Sequence, residues 1–275
     1  NRPNHSFAST LWREQAGEFL RGYAAHLRAI GLEDRVIAYQ TGAGHTGEWV
    51  KGLTSMRQPC GDFGEPMRRH FQGWLRRRYE EDLDGLRRAW NDPQVTFETA
   101  VVPSADAQLN TTHQTFRNPA HERKVVDYFR CLADLCAELI IDFNRIVKEA
   151  TNGKALAGAF YGYVLELAWN AGFFSEGPDC DYTTIQRSGH LGLAEVLRSP
   201  HVDFLVSPYS YGFRGIGGQG CGMPPSESLR LHGKLYLFEE DSRTYLAPPD
   251  AGFGRTDSLA DSTAVLKRNF AEILT

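Results

Sequence analysis

Four short apolar runs alternate with amphipathic stretches along this chain, and that alternation constrains the fold more than any other feature. The runs are Val36–Gln40, Ala155–Tyr163, Val202–Val206 and Leu235–Phe238. Each has strand length and is bounded by turn-forming residues such as Asn152-Gly153 and Gly233-Lys234. Apolar residues recur at helical spacing in the segments around them. Leu11, Phe19, Leu20, Tyr23 and Leu27 form the expected stripe of a first helix. A long helix over residues 65–90 carries Phe71, Trp74, Leu75, Tyr79, Leu83 and Leu86. The longest helix, residues 121–150, carries Val125, Phe129, Leu132, Leu135, Leu139, Phe143 and Ile146. Shorter helices fit residues 191–197, 226–232 and 258–274. Strands that alternate with helices predict a parallel sheet in an α/β fold.

Every predicted strand runs into a loop dense in polar or aromatic residues, which favours a (β/α)8 TIM barrel over an open doubly wound sheet. Four strands cannot close a barrel of eight. Residues 1–275 are therefore expected to be a partial catalytic TIM-barrel domain. Either the chain is a piece of something longer, or closure is borrowed from another chain in a homo-oligomer.

Several function classes are disfavoured. Net charge is −4, with 30 basic and 34 acidic side chains and no basic block, so nucleic acid is not an expected partner. Arg76-Arg77-Arg78 reads as a solvated helix face near Glu80, Glu81 and Asp82. No apolar stretch is long enough to span a bilayer, so no membrane partner is expected. The five cysteines, Cys60, Cys131, Cys136, Cys180 and Cys221, form no CxxC pair. They predict no zinc site and favour a reducing, cytoplasmic setting. Gly215 to Gly220 matches GxGxxG by letter. It opens no strand–turn–helix unit, and Pro224-Pro225 follows closely, so it predicts a flexible site loop rather than a dinucleotide fold. No GxSxG elbow or HExxH is present, and no cofactor or metal is implied.

Chemistry concentrates at two strand ends. Leu235–Phe238 runs into Glu239, Glu240, Asp241 and Arg243. Val36–Gln40 leads to a glycine-rich turn holding His45, Glu48 and Trp49. Two carboxylates on separate strand ends suit glycoside hydrolysis, one as acid/base and the other as nucleophile or activator of water. Aromatic side chains suit the flat C–H faces of pyranose rings. Trp49, Tyr161, Tyr163, Tyr209 and Tyr211 fall at or near strand ends. His45, beside Glu48, is a candidate substrate contact. Strand alternation puts Glu239 on the face of Leu235 and Leu237, and Glu240 on the opposite face.

These motifs resemble the retaining glycoside hydrolases of the (β/α)8 barrel, which carry the acid/base after strand four and the nucleophile after strand seven. Glu48, two further strands and Glu239 fit that count, so the chain is expected to cover strands four to seven. Phe71-Gln72-Gly73-Trp74-Leu75-Arg76-Arg77-Arg78-Tyr79, the Ala89-Trp90 that follows and the Asp127-Tyr128-Phe129-Arg130 segment are similar to glycoside hydrolase family 42, the β-galactosidase-like enzymes. Ser207-Pro208-Tyr209 and Glu239-x-Asp241-x-Arg243-Thr244 look like a related subgroup. The resemblance implies a carbohydrate substrate, Glu48 as acid/base and Glu239 as nucleophile, held by Arg243 and by Tyr209 or Tyr211. Gly47 stands where these families carry Asn before the acid/base. Two other classes fit the same constellation: a carbohydrate-binding barrel without catalysis, and a non-hydrolytic acid/base enzyme such as a lyase.

Overall fold

The computed structural model describes residues 5–44, 46–50, 62–112, 116–170 and 183–274. In chain order the elements are α1 (Thr10–Ala29), β1 (Ala38–Thr41), α2 (Glu65–Arg78), α3 (Leu83–Trp90), α4 (Ala105–Leu109) and α5 (Pro119–Ala150). There follow β2 (Leu156–Phe160), α6 (Val164–Trp169), α7 (Thr184–Arg187), α8 (Leu193–Arg198), β3 (Phe204–Pro208), α9 (Ser226–Leu231), β4 (Leu235–Glu239) and α10 (Leu259–Ile273). The protein is mixed α/β. Among the described residues the sheet has four strands in the order β1-β2-β3-β4, and every pair is parallel.

Helix α5 packs on one face of this sheet. Leu132, Leu135, Cys136, Leu139, Ile140 and Phe143 share a buried core with Ala159, Tyr161 and Leu205. The burial of Cys131 and Cys136 matches their place in that apolar stripe. The other face is less covered. Leu235 is 52 % exposed and Leu237 42 % exposed. The described strands do not close a barrel, and the sheet is open at β1 and β4.

The structure corrects three expectations. The buried face of α1 holds Gly17, Ala24 and Leu27, while Leu11, Phe19 and Tyr23 are exposed. Small residues win this face because α1 lies close against α5: a Cβ on Gly17 would sit 3.0 Å from the Ile146 side chain. The helix expected over 65–90 is two. Glu80 and Glu81 adopt positive φ, and the Asp82 side chain accepts the Gly85 N–H to start α3 afresh. The glycine-rich loop before α9 is pinned by Arg268, which donates to the carbonyls of Arg214, Gly215 and Gly218.

The β2–β3 pairing depends on Gly158. A Cβ there would lie 2.3 Å from the Phe204 carbonyl oxygen and 2.5 Å from its ring. Backbone on the neighbouring strand cannot yield as a side-chain tip can. Gly158→Ala is expected to cost about 3 kcal/mol of stability, read as a lower denaturant midpoint. A midpoint within experimental error of the parent would show that the strands separate without penalty.

Candidate active site

The loop after β1 is built to hold one carboxyl group. Gly44 has φ +78, and a Cβ there would approach the Val50 carbonyl oxygen to 2.5 Å. Ala43 and Glu48 form a short parallel bridge, and the Trp49 N–H donates to the Ala43 carbonyl at 2.7 Å. Thr46, Gly47 and Trp49 all have positive φ, so Glu48 sits in a stretch of backbone that side chains ordinarily avoid. His45 lies outside the described residues.

The Glu48 side chain is buried. Its Oε1 accepts the Tyr163 hydroxyl at 3.0 Å, and its Oε2 accepts the Thr46 hydroxyl. Burial pushes this carboxyl above the usual range, the two hydroxyls offset part of that, and the charge of Asp241 adds to it. Tyr163 is itself fully buried, and its phenol is raised well above the ordinary value by burial and then by Glu48. It therefore acts as a donor, never as a phenolate.

The end of β4 supplies the second group. Glu239 closes the strand on the same face as Leu235 and Leu237, and Glu240 turns the other way, accepting the Asn269 side-chain amide from α10 at 3.0 Å. Partial burial, then the charges of Asp241 and Glu48, raise the Glu239 carboxyl, while Arg214 and Arg243 pull it back. Glu48, Glu239 and Asp241 are thus electrostatically one group, contributed by the C-terminal ends of β1 and β4.

Asp241 behaves in the opposite way. Burial pushes its carboxyl up, but hydrogen bonds from Arg243 and Arg214 outweigh this and hold it below the usual range. Its Oδ2 accepts from Arg214 Nη1 and the Tyr211 hydroxyl, each at 3.0 Å, and its Oδ1 accepts from Arg243. The Arg214 guanidinium is 1 % exposed, stacks 3.6 Å from the centre of the Tyr211 ring and also donates to the Tyr209 carbonyl at 2.9 Å. Arg243 pairs with Asp241 rather than Glu239, and no side-chain hydrogen bond reaches the Glu239 carboxylate among the described residues.

Among the candidates, Glu48, Tyr163, Tyr211, Glu239, Asp241 and Arg243 come together. Three aromatic candidates do not. Trp49 is wholly buried against Phe7 and Phe143, and its indole N–H donates to the Thr41 carbonyl. Tyr161 faces α5 and donates to the Gly189 carbonyl at 2.7 Å. Tyr209 points to α10 and donates to the Asn269 carbonyl at 3.0 Å. Sequence reasoning missed Thr46, His190 and Arg214. Arg214 lies inside a glycine-rich loop, where the one buried-capable cation was the available signal. His190 had no neighbour in sequence to mark it.

No protein-family model matches the chain, and no curated protein sequence matches it. Solved structures do. The catalytic domain of β-amylase from Paenibacillus polymyxa superposes with a TM-score of 0.59 at 12 % identity, over 95 % of this chain and 60 % of that one. An agarase superposes with a TM-score of 0.53 at 14 % identity, over 96 % of this chain and 32 % of that one. At these identities the likeness is one of fold. The chain spans less than two thirds of either neighbour. Both neighbours are glycoside hydrolases. Neither name points to the β-galactosidase-like family, so that finer resemblance has no counterpart here.

The electrostatics give a direct test. Asp241→Asn removes a like charge and frees two guanidinium groups, and both changes favour ionisation of the neighbouring carboxyls. The titrations of Glu48 and Glu239, followed by carbon NMR of labelled glutamate, are expected to move down. Stability should fall by about 2 kcal/mol, because Arg214 stays buried without its counter-charge while Asp241 itself was only partly enclosed. Unchanged midpoints would show that the three acids do not sense one another.

Proposed function

We propose that this chain is the catalytic part of a glycoside hydrolase, with Glu48 as general acid/base and Glu239 as nucleophile. The observation that carries the reading is the pair of strand-end carboxyls held in unequal environments. Glu48 is enclosed, and the rise that burial imposes on its carboxyl, only partly offset by the Tyr163 and Thr46 hydroxyls, favours the protonated form needed to hand a proton to a leaving oxygen. Glu239 is more open; partial burial and then the charges of Asp241 and Glu48 raise its carboxyl too, but Arg214 and Arg243 oppose that rise and supply the positive field a nucleophilic carboxylate needs. The fold likeness to a β-amylase and an agarase supports a carbohydrate substrate. On this reading the described sheet corresponds to strands four to seven of a (β/α)8 barrel.

In the first step Glu239 attacks the anomeric carbon as Glu48 protonates the departing oxygen. In the second, Glu48 takes a proton from water, which displaces the sugar from Glu239. Retention follows from two inversions. It requires carboxyl groups roughly 5–5.5 Å apart, whereas a direct attack by water needs roughly 6.5–9.5 Å. A β-galactoside is the substrate that the family 42 resemblance favours.

A half-exposed aromatic pair joins the end of α6 to the loop that follows Tyr211. Trp169, at the end of α6, lies 5.0 Å from the Phe213 ring and covers Gly212, where a Cβ would meet the indole at 2.1 Å. Its 48 % exposure leaves a face for a sugar ring beyond the cleavage point.

Glu239→Gln is expected to lower kcat at least about a thousandfold, since an amide cannot attack. Glu48→Ala should slow glycosides with poor leaving groups far more than activated aryl glycosides, with partial rescue by azide. Proton NMR of the first-formed product should show the anomer of the substrate. The opposite anomer would replace double displacement by inversion. Sugar binding without turnover by the unaltered protein would reduce the chain to a binding barrel, and an unsaturated product would make it a lyase.

Chain-length dependence tests the rim. Trp169→Ala should raise KM for an oligosaccharide about tenfold while leaving an aryl monosaccharide unaffected. Equal effects on both substrates would remove Trp169 from the binding surface.

A further inference from the structure

We propose that His190 is a positioning residue, a neutral strut that fixes Glu48 and Tyr163 relative to each other; this rests on Glu48 being the acid/base. His190 opens a single 3-10 turn before α8 and is wholly buried. Its Nδ1 accepts the Tyr163 backbone N–H at 3.1 Å, and its Nε2 lies 2.9 Å from the Glu48 carbonyl oxygen. The partners dictate the tautomer. A backbone N–H can only donate and a carbonyl can only accept, so Nδ1 is bare and Nε2 carries the proton. Complete burial, partly opposed by the bond to the Glu48 carbonyl, lowers the imidazole to about 4, which keeps this arrangement neutral.

The Tyr163 hydroxyl donates to Glu48 Oε1, so the three residues close a ring of hydrogen bonds. One side of the ring is the backbone of the acid and the opposite side its carboxyl group. Both nitrogens of His190 are spent on this ring. His190 is itself braced. Its backbone N–H donates to the Ser188 hydroxyl at 3.1 Å, the Tyr161 hydroxyl holds the Gly189 carbonyl, and the Tyr161 ring lies 4.6 Å away. Gly189 has φ +86, and a Cβ there would press to 2.5 Å on Cys136 Sγ. The brace therefore reaches from α5 through His190 to the backbone of Glu48. The positive-φ loop around Glu48 needs such a support, because neither Thr46 nor Trp49 favours its own conformation. His190 touches no reacting atom, and it acts through the two residues it joins.

The test compares His190→Phe, which keeps bulk and loses both bonds, with His190→Gln, which can restore the donor to Glu48. In His190→Phe, kcat for a poor leaving group should fall about 100-fold, with KM within about twofold and little loss on an activated aryl glycoside. His190→Gln should recover part of this. The readout independent of turnover is the Glu48 titration by carbon NMR. It should rise in His190→Phe, because the Tyr163 hydroxyl that favours the ionised form is no longer held in place. An unchanged titration in a folded His190→Phe protein overturns the strut. Nitrogen NMR of the unaltered protein serves if that variant does not fold. An Nδ1–H tautomer at His190 overturns the proposal, and the Nε2–H tautomer supports it. If the unaltered protein cleaves no glycoside, the glycosidase reading fails while the titration and tautomer still decide the role of His190.

Discussion

The parallel register of the four strands is the constraint on which the rest depends. Ala38 lies opposite Leu156, Gly158 opposite Phe204 and Pro208 opposite Glu239. With all strands running one way, Thr41, Phe160, Pro208 and Glu239 end along the same rim. That rim alone explains how a carboxyl from residue 48 and one from residue 239 can feel each other's charge. A slip of one residue in β4 would reverse every side chain. Glu239 would then face α10, and Glu240 would lose the Asn269 amide for the rim.

Period-two alternation is what made this legible. Leu235, Leu237 and Glu239 share a face because strand geometry requires it, and the placing of Glu240 on the opposite face follows without any knowledge of the helices. The existence of all four strands was readable for the same reason: each is a short apolar run between turn signals. Boundaries were less so. The first strand begins at Ala38 rather than Val36, and Ile37 is 81 % exposed. Apolar periodicity also misjudged α1, because close helix packing rewards Gly17 and Ala24 over larger apolar side chains that then stay in solvent.

The aromatic residues show where the rule stops working. Tyr161 and Tyr163 are two apart and would share a face in a continuing strand. β2 ends at Phe160, and Gly162, at φ +88, turns the chain between them. Tyr161 keeps the helix side and Tyr163 swings to Glu48. Tyr209 and Tyr211 part in the same way after Pro208, one to α10 and the other to Asp241. Arg214 and His190 were illegible for a further reason. Their roles arise from contacts 27 and 142 residues distant in sequence, which no local spacing encodes.

The site finally divides its charges by the kind of donor each acid receives. Among the described residues Glu48 receives two hydroxyls and no cation, so burial dominates and its carboxyl is raised. Asp241 receives two guanidinium groups and a hydroxyl, so the charge is favoured despite burial. The division is self-reinforcing, because the fixed charge on Asp241 further disfavours ionisation of Glu48 and Glu239. Arg214, together with Arg243, helps to hold that charge. It is anchored to the Tyr209 carbonyl at the end of β3 and reaches across to β4, so the strand pairing that sets the rim also sets the electrostatics. The rise of the Glu48 carboxyl is thus owed first to the burial that encloses it and, in smaller part, to a charge on Asp241 that the joining of β3 and β4 sets in place.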